Sequence, residues 1–332
     1  MPLALPVAVV AASVLAGPAV AGGNGGFGPV DPASPTTERI SHAYWLIGAL
    51  SIGILLLILV PLLLFASRYR SRGRPRTQDG PQVHGNTGFE LAWTAVPVVL
   101  LVGIASFVFY KLPGITDPAA AGEPLTIRVE GRQFYWRYVY ENGVVAVDTL
   151  RVPVGRVVEL DMTSPENDVV HSYWIPALFG KRDTIPGQET TQRFVAKRTG
   201  LFEGQCGEFC GIQHAAMTAF AEALPPDQFD AWLEQQAEAQ AEGGRELGRV
   251  LWDGACMKCH RLDEEYVGPA LGGNTLLGDR EALEELVRNG RRAMPAVGQG
   301  WTEREYEALH AYTRTLLEDE GEGQGEEAAS GS

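Results

Sequence analysis

Two long uncharged runs, separated by a cluster of arginines, constrain this chain more than any other feature. From Ile40 to Ser67 there is no Asp, Glu, Lys or Arg, and the same holds from Leu91 to Tyr110, where Lys111 closes the run. At ~1.5 Å of rise per residue, about 20 apolar residues in a helix cross the ~30 Å hydrocarbon core of a bilayer. Both runs are therefore predicted to be transmembrane helices, and Trp93 near the start of the second suits the membrane interface. A buried helix of a soluble core is the alternative for each run taken singly; two such runs favour the membrane. Between them lie Arg68, Arg70, Arg72, Arg74 and Arg76. Positive charge in a short loop places that loop in the cytoplasm. Both outer ends of this two-pass anchor, residues 40–111, then face outward, and everything after Lys111 lies beyond the cytoplasmic membrane.

Residues 1–21 are apolar and end in Ala19-Val20-Ala21, the small-residue pattern of a signal-peptidase site, so a signal peptide is expected. No basic stretch precedes it, which leaves an uncleaved anchor as the alternative. The whole chain of 332 residues carries a net charge of −14, which argues against nucleic acid as a partner. From Glu318 onward there are six acids and no base. Residues 318–332, rich in Gly, Glu and Ala, bury too little apolar surface to offset their ordering entropy and are expected to form a disordered acidic tail.

Beyond the anchor, residues 122–235 change to short β-prone runs between turn residues, among them Leu125-Thr-Ile-Arg-Val, Tyr135-Trp-Arg-Tyr-Val-Tyr, Arg156-Val-Val-Glu-Leu and Thr191-Gln-Arg-Phe-Val. About seven such runs in ~100 residues predict a β-sandwich. From Pro226 an apolar helix face (Phe229, Trp232, Leu233) leads into a polar linker, residues 236–244, and then a further domain over 245–317.

The densest chemistry is in Cys206-Gly-Glu208-Phe-Cys210-Gly-Ile-Gln-His214-Ala-Ala-Met217, with an isolated His171 upstream. Two thiolates, two imidazoles and a thioether form a soft to borderline ligand set suited to copper. Three arrangements fit. A Cys206–Cys210 disulfide suits an oxidising compartment but leaves His214 and Met217 unused. A mononuclear blue-copper centre of His171, Cys210, His214 and Met217 leaves Cys206 idle. A dinuclear centre bridged by both thiolates gives every one of these residues a role.

This segment resembles the CuA loop of cytochrome c oxidase subunit II, whose pattern C-x-E-x-C-x-x-x-H-x-x-M is filled completely. The resemblance implies a cupredoxin-like sandwich in which Cys206 and Cys210 bridge a copper pair, His171 and His214 each cap one copper, and Met217 and the carbonyl of Glu208 complete the set. It further implies a magnesium, shared with subunit I, at the Glu208 carboxylate. Glu90-Leu-Ala-Trp-Thr-Ala-Val-Pro97 is similar to the family's E-x-x-W-T-x-x-P, which would put Glu90 near the mouth of a proton path; a solvated interface acid is the alternative. Asp168-Val-Val-His171 and Lys181-Arg-Asp183-Thr-Ile-Pro-Gly187 also look like family sequence. One departure stands out. Where the family reads G-H-Q-W-Y-W near the surface that accepts electrons, this chain reads Gly131-Arg132-Gln133-Phe134-Tyr135-Trp136, so Phe134, with Trp136 nearby, takes the electron-input position and Arg132 replaces a histidine. A haem domain held at high effective concentration by the linker would relax the need for a docking site tuned to a soluble partner.

A second chemistry sits in Cys256-Met-Lys-Cys259-His260, whose thiols have the spacing for thioethers to haem vinyl groups while the adjacent His reaches the iron. Zinc is the alternative, but would need a further pair of Cys or His, and only His310 is left. Of the five methionines, Met294, 34 residues after His260, is left as the second axial ligand once leader, sandwich and attachment-loop residues are set aside. All four cysteines are thereby assigned to two cofactors.

The expected architecture is thus two transmembrane α-helices, a cupredoxin-like β-sandwich and a small all-α cytochrome c domain. It would form a two-pass protein of the bacterial inner membrane with its N-terminus and C-terminal domains on the periplasmic side. No nucleophile–base constellation or phosphate loop is present, so the chain's own chemistry is one-electron relay. The resemblance implies a terminal-oxidase subunit passing electrons from haem c to CuA and on to subunit I, where O2 becomes water. Its partners would be subunits I and III, membrane lipid, and a cytochrome c or quinol–cytochrome c reductase as donor. The alternative is a free-standing membrane-tethered carrier of copper and haem.

Overall fold

The computed structural model describes residues 28–70, 82, 84–116, 122–241 and 244–330, with Asp319 to Ser330 as backbone only. The expected signal peptide, and Arg72, Arg74 and Arg76, lie outside the described residues. The chain divides into two compact units: the helical anchor, and a second unit that holds both the sandwich and the C-terminal helices.

In the anchor, α1 (Pro35–Arg68) and α2 (Thr87–Lys111) cover the two uncharged runs. Large apolar side chains such as Leu57, Ile58, Val99 and Phe109 stand exposed along them, as a lipid-facing helix requires and a soluble core forbids. Each helix contains a proline, Pro61 and Pro97, which bilayer-spanning helices tolerate. Asn86 caps α2, its Oδ1 accepting the Phe89 N–H at 3.1 Å, and Glu90 lies in the first turn. A single turn, α3 (Pro113–Thr116), ends the unit.

The sandwich has ten strands: β1 (Leu125–Arg132), β2 (Tyr135–Tyr140), β3 (Val145–Val147), β4 (Thr149–Pro153), β5 (Val157–Thr163), β6 (His171–Trp174), β7 (Arg182–Thr184), β8 (Thr190–Val195), β9 (Gly200–Cys206) and β10 (Thr218–Leu224). They form two sheets ordered β3-β2-β1-β5-β8 and β4-β10-β9-β6-β7. Alternation buries Ile127, Val129, Leu160 and Met162 from one sheet against Tyr173, Ala219 and Ala221 from the other, the period-two pattern of a strand with one face in the core. More strands appear than the periodicity predicts because β3, β6 and β7 have only three or four residues, too few to show alternation.

Two further expectations are corrected. The segment read as a linker over 236–244 is mostly helix, since α4 (Pro226–Ala241) runs through it. Gln240 is buried there, its side chain accepting the Val145 N–H at 3.0 Å and donating to the Val145 carbonyl at 2.8 Å. A polar side chain can be buried when it completes such a pair, which composition alone does not show. Of the tail read as disordered, residues 318–330 are likewise helical, as α7 (Glu303–Ser330) continues through them. Glu, Gln and Ala are good helix formers, and elongation from an existing helix needs no new nucleus.

The C-terminal helices are α5 (Arg245–Leu251), a π-helical turn over Trp252–Cys256, α6 (Arg280–Asn289) and α7. α5 crosses α7 so closely that a Cβ on Gly248 would lie 2.0 Å from the Ala308 carbonyl oxygen. This helical core is continuous with the sandwich: Tyr135 and Val145 belong to the same buried cluster as Leu251, Trp301 and Leu309. A buried charge network spans the junction. Glu130 accepts from Arg132 (Nη2, 2.7 Å) and Arg137 (Nη1, 2.8 Å), and Arg137 also donates to Glu305 (Nε, 3.0 Å). Burial pushes the Glu130 carboxyl up, but Arg132 and Arg137 outweigh it and leave its pKa below the ordinary value.

Gly248→Ala should destabilise the helical part by about 1–3 kcal/mol through overpacking, read as a lower denaturant midpoint in detergent-solubilised protein. The depressed Glu130 pKa gives a pH dependence of defined sign. Above the ordinary carboxylate range its stabilising contribution is complete, and it is lost as pH falls through the lower folded-state value. Arg128, Arg132 and Arg137 face Glu130, with Glu305 on the far side of Arg137. Unfolding midpoints measured down an acid pH series should fall less steeply for Glu130→Gln than for the unaltered protein.

Candidate functional site

β9 ends at Cys206 and β10 begins at Thr218, with Gln205 paired to Thr218. The intervening loop therefore starts and returns at one place, and the Cys206 N–H donates to the Met217 carbonyl at 3.0 Å to close it. His171 opens β6, whose Tyr173 pairs with Cys206, so a residue distant in sequence reaches the loop through sheet register. The Cys206 and Cys210 sulfurs are 4.0 Å apart. That is twice the ~2.05 Å of a disulfide bond, and both cysteines are free. His171 Nδ1 lies 3.9 Å from Cys206 Sγ, His214 Nδ1 3.6 Å and Met217 Sδ 3.8 Å from Cys210 Sγ. The Glu208 carbonyl oxygen is 3.2 Å from Cys206 Sγ, while its side chain is exposed. The structure brings all six together.

His171, Cys206 and Cys210 offer ligand atoms within 4.8 Å of one another, all three buried. The hydrogen bond between the two thiols lowers Cys206 and raises Cys210, so the pair shares a single proton readily lost from Cys206. Closely placed thiols in a buried site are what a soft metal needs. Asp168 Oδ1 sits 3.1 Å from His171 Nε2, leaving Nδ1 for the sulfur side; such outer partners fix ring orientation and tautomer. A Cβ on Gly131 would lie 2.4 Å from Thr184 Oγ1 and 3.1 Å from the His171 Cβ, so only glycine lets β1 pass behind His171.

A cavity of about 580 Å³ lies at the helical end of the same unit, lined by Cys256, Cys259, His260 and Met294 and by Phe134 and Ile212 from the sandwich. His260 Nδ1 hydrogen-bonds the Pro269 carbonyl at 2.7 Å. A Cβ on Gly268 would collide with the imidazole at 2.4 Å, so Gly268-Pro269 both packs and orients the ring and leaves Nε2 for a metal. Burial pushes the Cys256 thiol up to about 12. His310 bonds the Gly278 carbonyl at 3.1 Å instead of lining the cavity. The size, the apolar lining and the presence of His260 and Met294 in its walls suit a haem.

Phe134 is 4% exposed, and Trp136 is fully buried against Tyr173, their ring centroids 4.7 Å apart. Phe134 is thus a wall between copper loop and cavity, with Gly211 directly behind it. Sequence reasoning missed Asp168 as the partner of His171, and Gln213, whose amide donates to the Lys258 carbonyl at 2.9 Å between Cys256 and Cys259. Asp168 could have been found three residues before the candidate ligand His171. Gln213 carries no local signal.

Three family matches tile the chain: the cytochrome c oxidase subunit II transmembrane domain over residues 23–110, its periplasmic domain over 144–224, and the cytochrome c oxidase cbb3-type subunit III family over 245–312. The chain is 33% identical to cytochrome c oxidase subunit 2 of Alkalihalophilus pseudofirmus over 324 residues, covering 86% of this chain and 90% of the relative. It is 32% identical to the Cereibacter sphaeroides subunit 2, covering 68% of this chain and 84% of that one. A solved periplasmic domain of subunit II from Bradyrhizobium japonicum is 30% identical, covering 36% of this chain and 99% of that one, with a TM-score of 0.34. Anchor, sandwich and helical domain thus each match a cytochrome c oxidase family in the order the motifs predict, and the chain belongs to the cytochrome c oxidase subunit II family, an electron-transfer subunit that carries a cytochrome c domain at its C-terminus.

Proposed function

We propose that electrons enter this chain at a covalently attached haem c, cross to a dinuclear CuA centre, and leave for the haem–copper site of subunit I, where O2 is reduced to water. The observation that carries this order is the shared wall: Phe134 and Ile212 of the copper domain line the same cavity as His260 and Met294. When bound, haem and copper supply one-electron oxidation and reduction with no substrate bond made in this chain. Its residues hold and orient. Cys206, Cys210, His171, His214, Met217 and the Glu208 carbonyl would hold the copper pair, with both thiolates shared between the metals. Cys256 and Cys259 would attach the haem, and His260 and Met294 would be offered to its iron.

The exposed Glu208 carboxylate is free to meet a magnesium at the boundary with subunit I. Subunits I and III are the proposed partners in the membrane, and a cytochrome c or a quinol–cytochrome c reductase the donor. The uncharged helices and the Arg-rich loop support a two-pass inner-membrane protein with its cofactor domains in the periplasm. Glu90, in the first turn of α2, would then sit at the cytoplasmic end, as the mouth of a proton path requires. The free-standing carrier is set aside because the anchor itself matches the subunit II family.

Metal analysis of the purified complex should find a copper pair per chain, and Cys206→Ser should abolish the mixed-valence spectrum. A single copper, with a blue-copper band persisting in the Ser variant, would overturn the dinuclear assignment. Met294→Ala should leave the haem covalently attached but open its iron to added ligands and lower its potential, since Met ligation raises it. An unchanged spectrum and potential would mean that another residue holds the distal side.

A further inference from the structure

We propose that the haem domain is locked onto the electron-accepting face of the copper domain by the buried Glu130–Arg132–Arg137–Glu305 network, so that an external one-electron donor reaches the chain only through the haem domain. This rests on the cofactor reading above, and it replaces a flexible tether with a fixed interface.

Arg132, which stands where the family pattern has histidine, is only 2% exposed. One arm of its guanidinium donates to Glu130, and Nη1 reaches into the haem domain to the Gln299 carbonyl at 2.5 Å. Arg137 forks between Glu130 on its own sheet and Glu305 on α7. The second oxygen of Glu305 accepts the Thr302 N–H at 2.7 Å and its hydroxyl at 2.9 Å. Both guanidiniums and both carboxylates are thus paired out of water, a state that exists only while the two domains are joined. A buried guanidinium deprived of its partners is strongly unfavourable, so separating the domains requires this set to be rehydrated together.

The apolar contacts are as complete. Tyr135 is 0% exposed, its hydroxyl donating to the Val297 carbonyl at 2.6 Å and accepting from Trp301 Nε1 at 3.2 Å. A second set of contacts ties down the attachment loop, where Lys258 pairs with Asp148 at 2.5 Å and its carbonyl accepts from Gln213. Cys259 packs on the sandwich core. The contacts flank the haem cavity, one set at the loop after Met294 and the other at the loop that carries the thioether cysteines. Short-lived redox encounters use small, wet interfaces; this one has an apolar core with its charges satisfied. It also covers Phe134, so a soluble carrier cannot take that position. The transfer moves a single electron, the haem being oxidised and the copper pair reduced, with no proton or bond rearranged.

The test uses the intact oxidase. After flash reduction of the haem, the rate of electron arrival at copper should not change with added viscogen, because no domain has to diffuse into place. A rate that falls with viscosity overturns the lock. Amides of β2 should be protected from hydrogen exchange. Arg132→His and Glu305→Gln should each raise that exchange and slow haem-to-copper transfer by about tenfold or more, in proportion to the lost docked fraction. Copper and haem spectra should be retained, and soluble reduced cytochrome c should begin to reduce copper directly. The paired change Arg137→Met with Glu305→Leu removes charge from both sides and should keep more protection than Glu305→Gln alone. Wild-type exchange and rates in all these variants overturn the proposal. Absence of any haem-to-copper transfer in the unaltered oxidase would instead overturn the electron route, with the exchange of β2 still deciding the lock.

Discussion

A carboxylate held between two guanidiniums, away from water, is the constraint on which the rest of this periplasmic unit depends. Glu130 cannot be buried as an anion without Arg132 and Arg137, and neither arginine can be buried without partners beyond it. Those partners are on the haem domain, in Glu305 and the carbonyls of the loop after Met294. Removing one member of such a set typically costs about 3–5 kcal/mol, because the remaining charge stays buried and unpaired. The network therefore specifies a geometry more than it adds net stability.

The same hairpin that carries these charges also shapes the copper site. Strand β1 ends with Gly131 and Arg132, β2 begins at Tyr135, and the two pair from Ile127 with Tyr140 to Arg132 with Tyr135. Alternation sends successive residues to opposite faces. Gly131 lies against His171, while the arginines and Tyr135 face the haem domain. The docking contacts and the strand that lies against His171 thus belong to one hairpin. Phe134, in the turn between the strands, becomes a partition between the two sites.

What the sequence disclosed follows the range of each interaction. The segments 206–217 and 256–260 are legible because their candidate cofactor-binding residues fall within a dozen residues and chemistry dictates the spacing. The membrane helices are legible because a bilayer sets a minimum apolar length. His171 could be matched to its loop through its resemblance to family sequence, although the pairing that brings it there, Tyr173 with Cys206, is a long-range register. The short strands β3, β6 and β7 escape periodicity. The supposed linker reads as a tether because Gln235 to Gly244 is polar, yet Gln240 is buried by two hydrogen bonds to Val145. Arg132 was visible as a departure from the family pattern. Its partner across the junction was not, because Gln299 lies 167 residues away and contributes a backbone carbonyl, and Glu305, the partner of Arg137, lies 168 residues from that arginine; neither has a motif.

Electron transfer makes a particular demand that this arrangement meets. Catalysis by bond making tolerates a mobile lid, because closure can precede chemistry. A relay gains nothing from motion between its stations, and each excursion lowers the fraction of time in the competent geometry. Accordingly the candidate copper ligands of the 206–217 segment sit in a loop closed at both ends by sheet pairing, His260 is oriented by a backbone carbonyl, and the two domains share one hydrophobic cluster. Rigidity at each station would be of little use if the distance between them varied. The buried charges supply the remaining restraint: apolar surfaces alone can slide, whereas a guanidinium forked between two carboxylates cannot move without losing a partner.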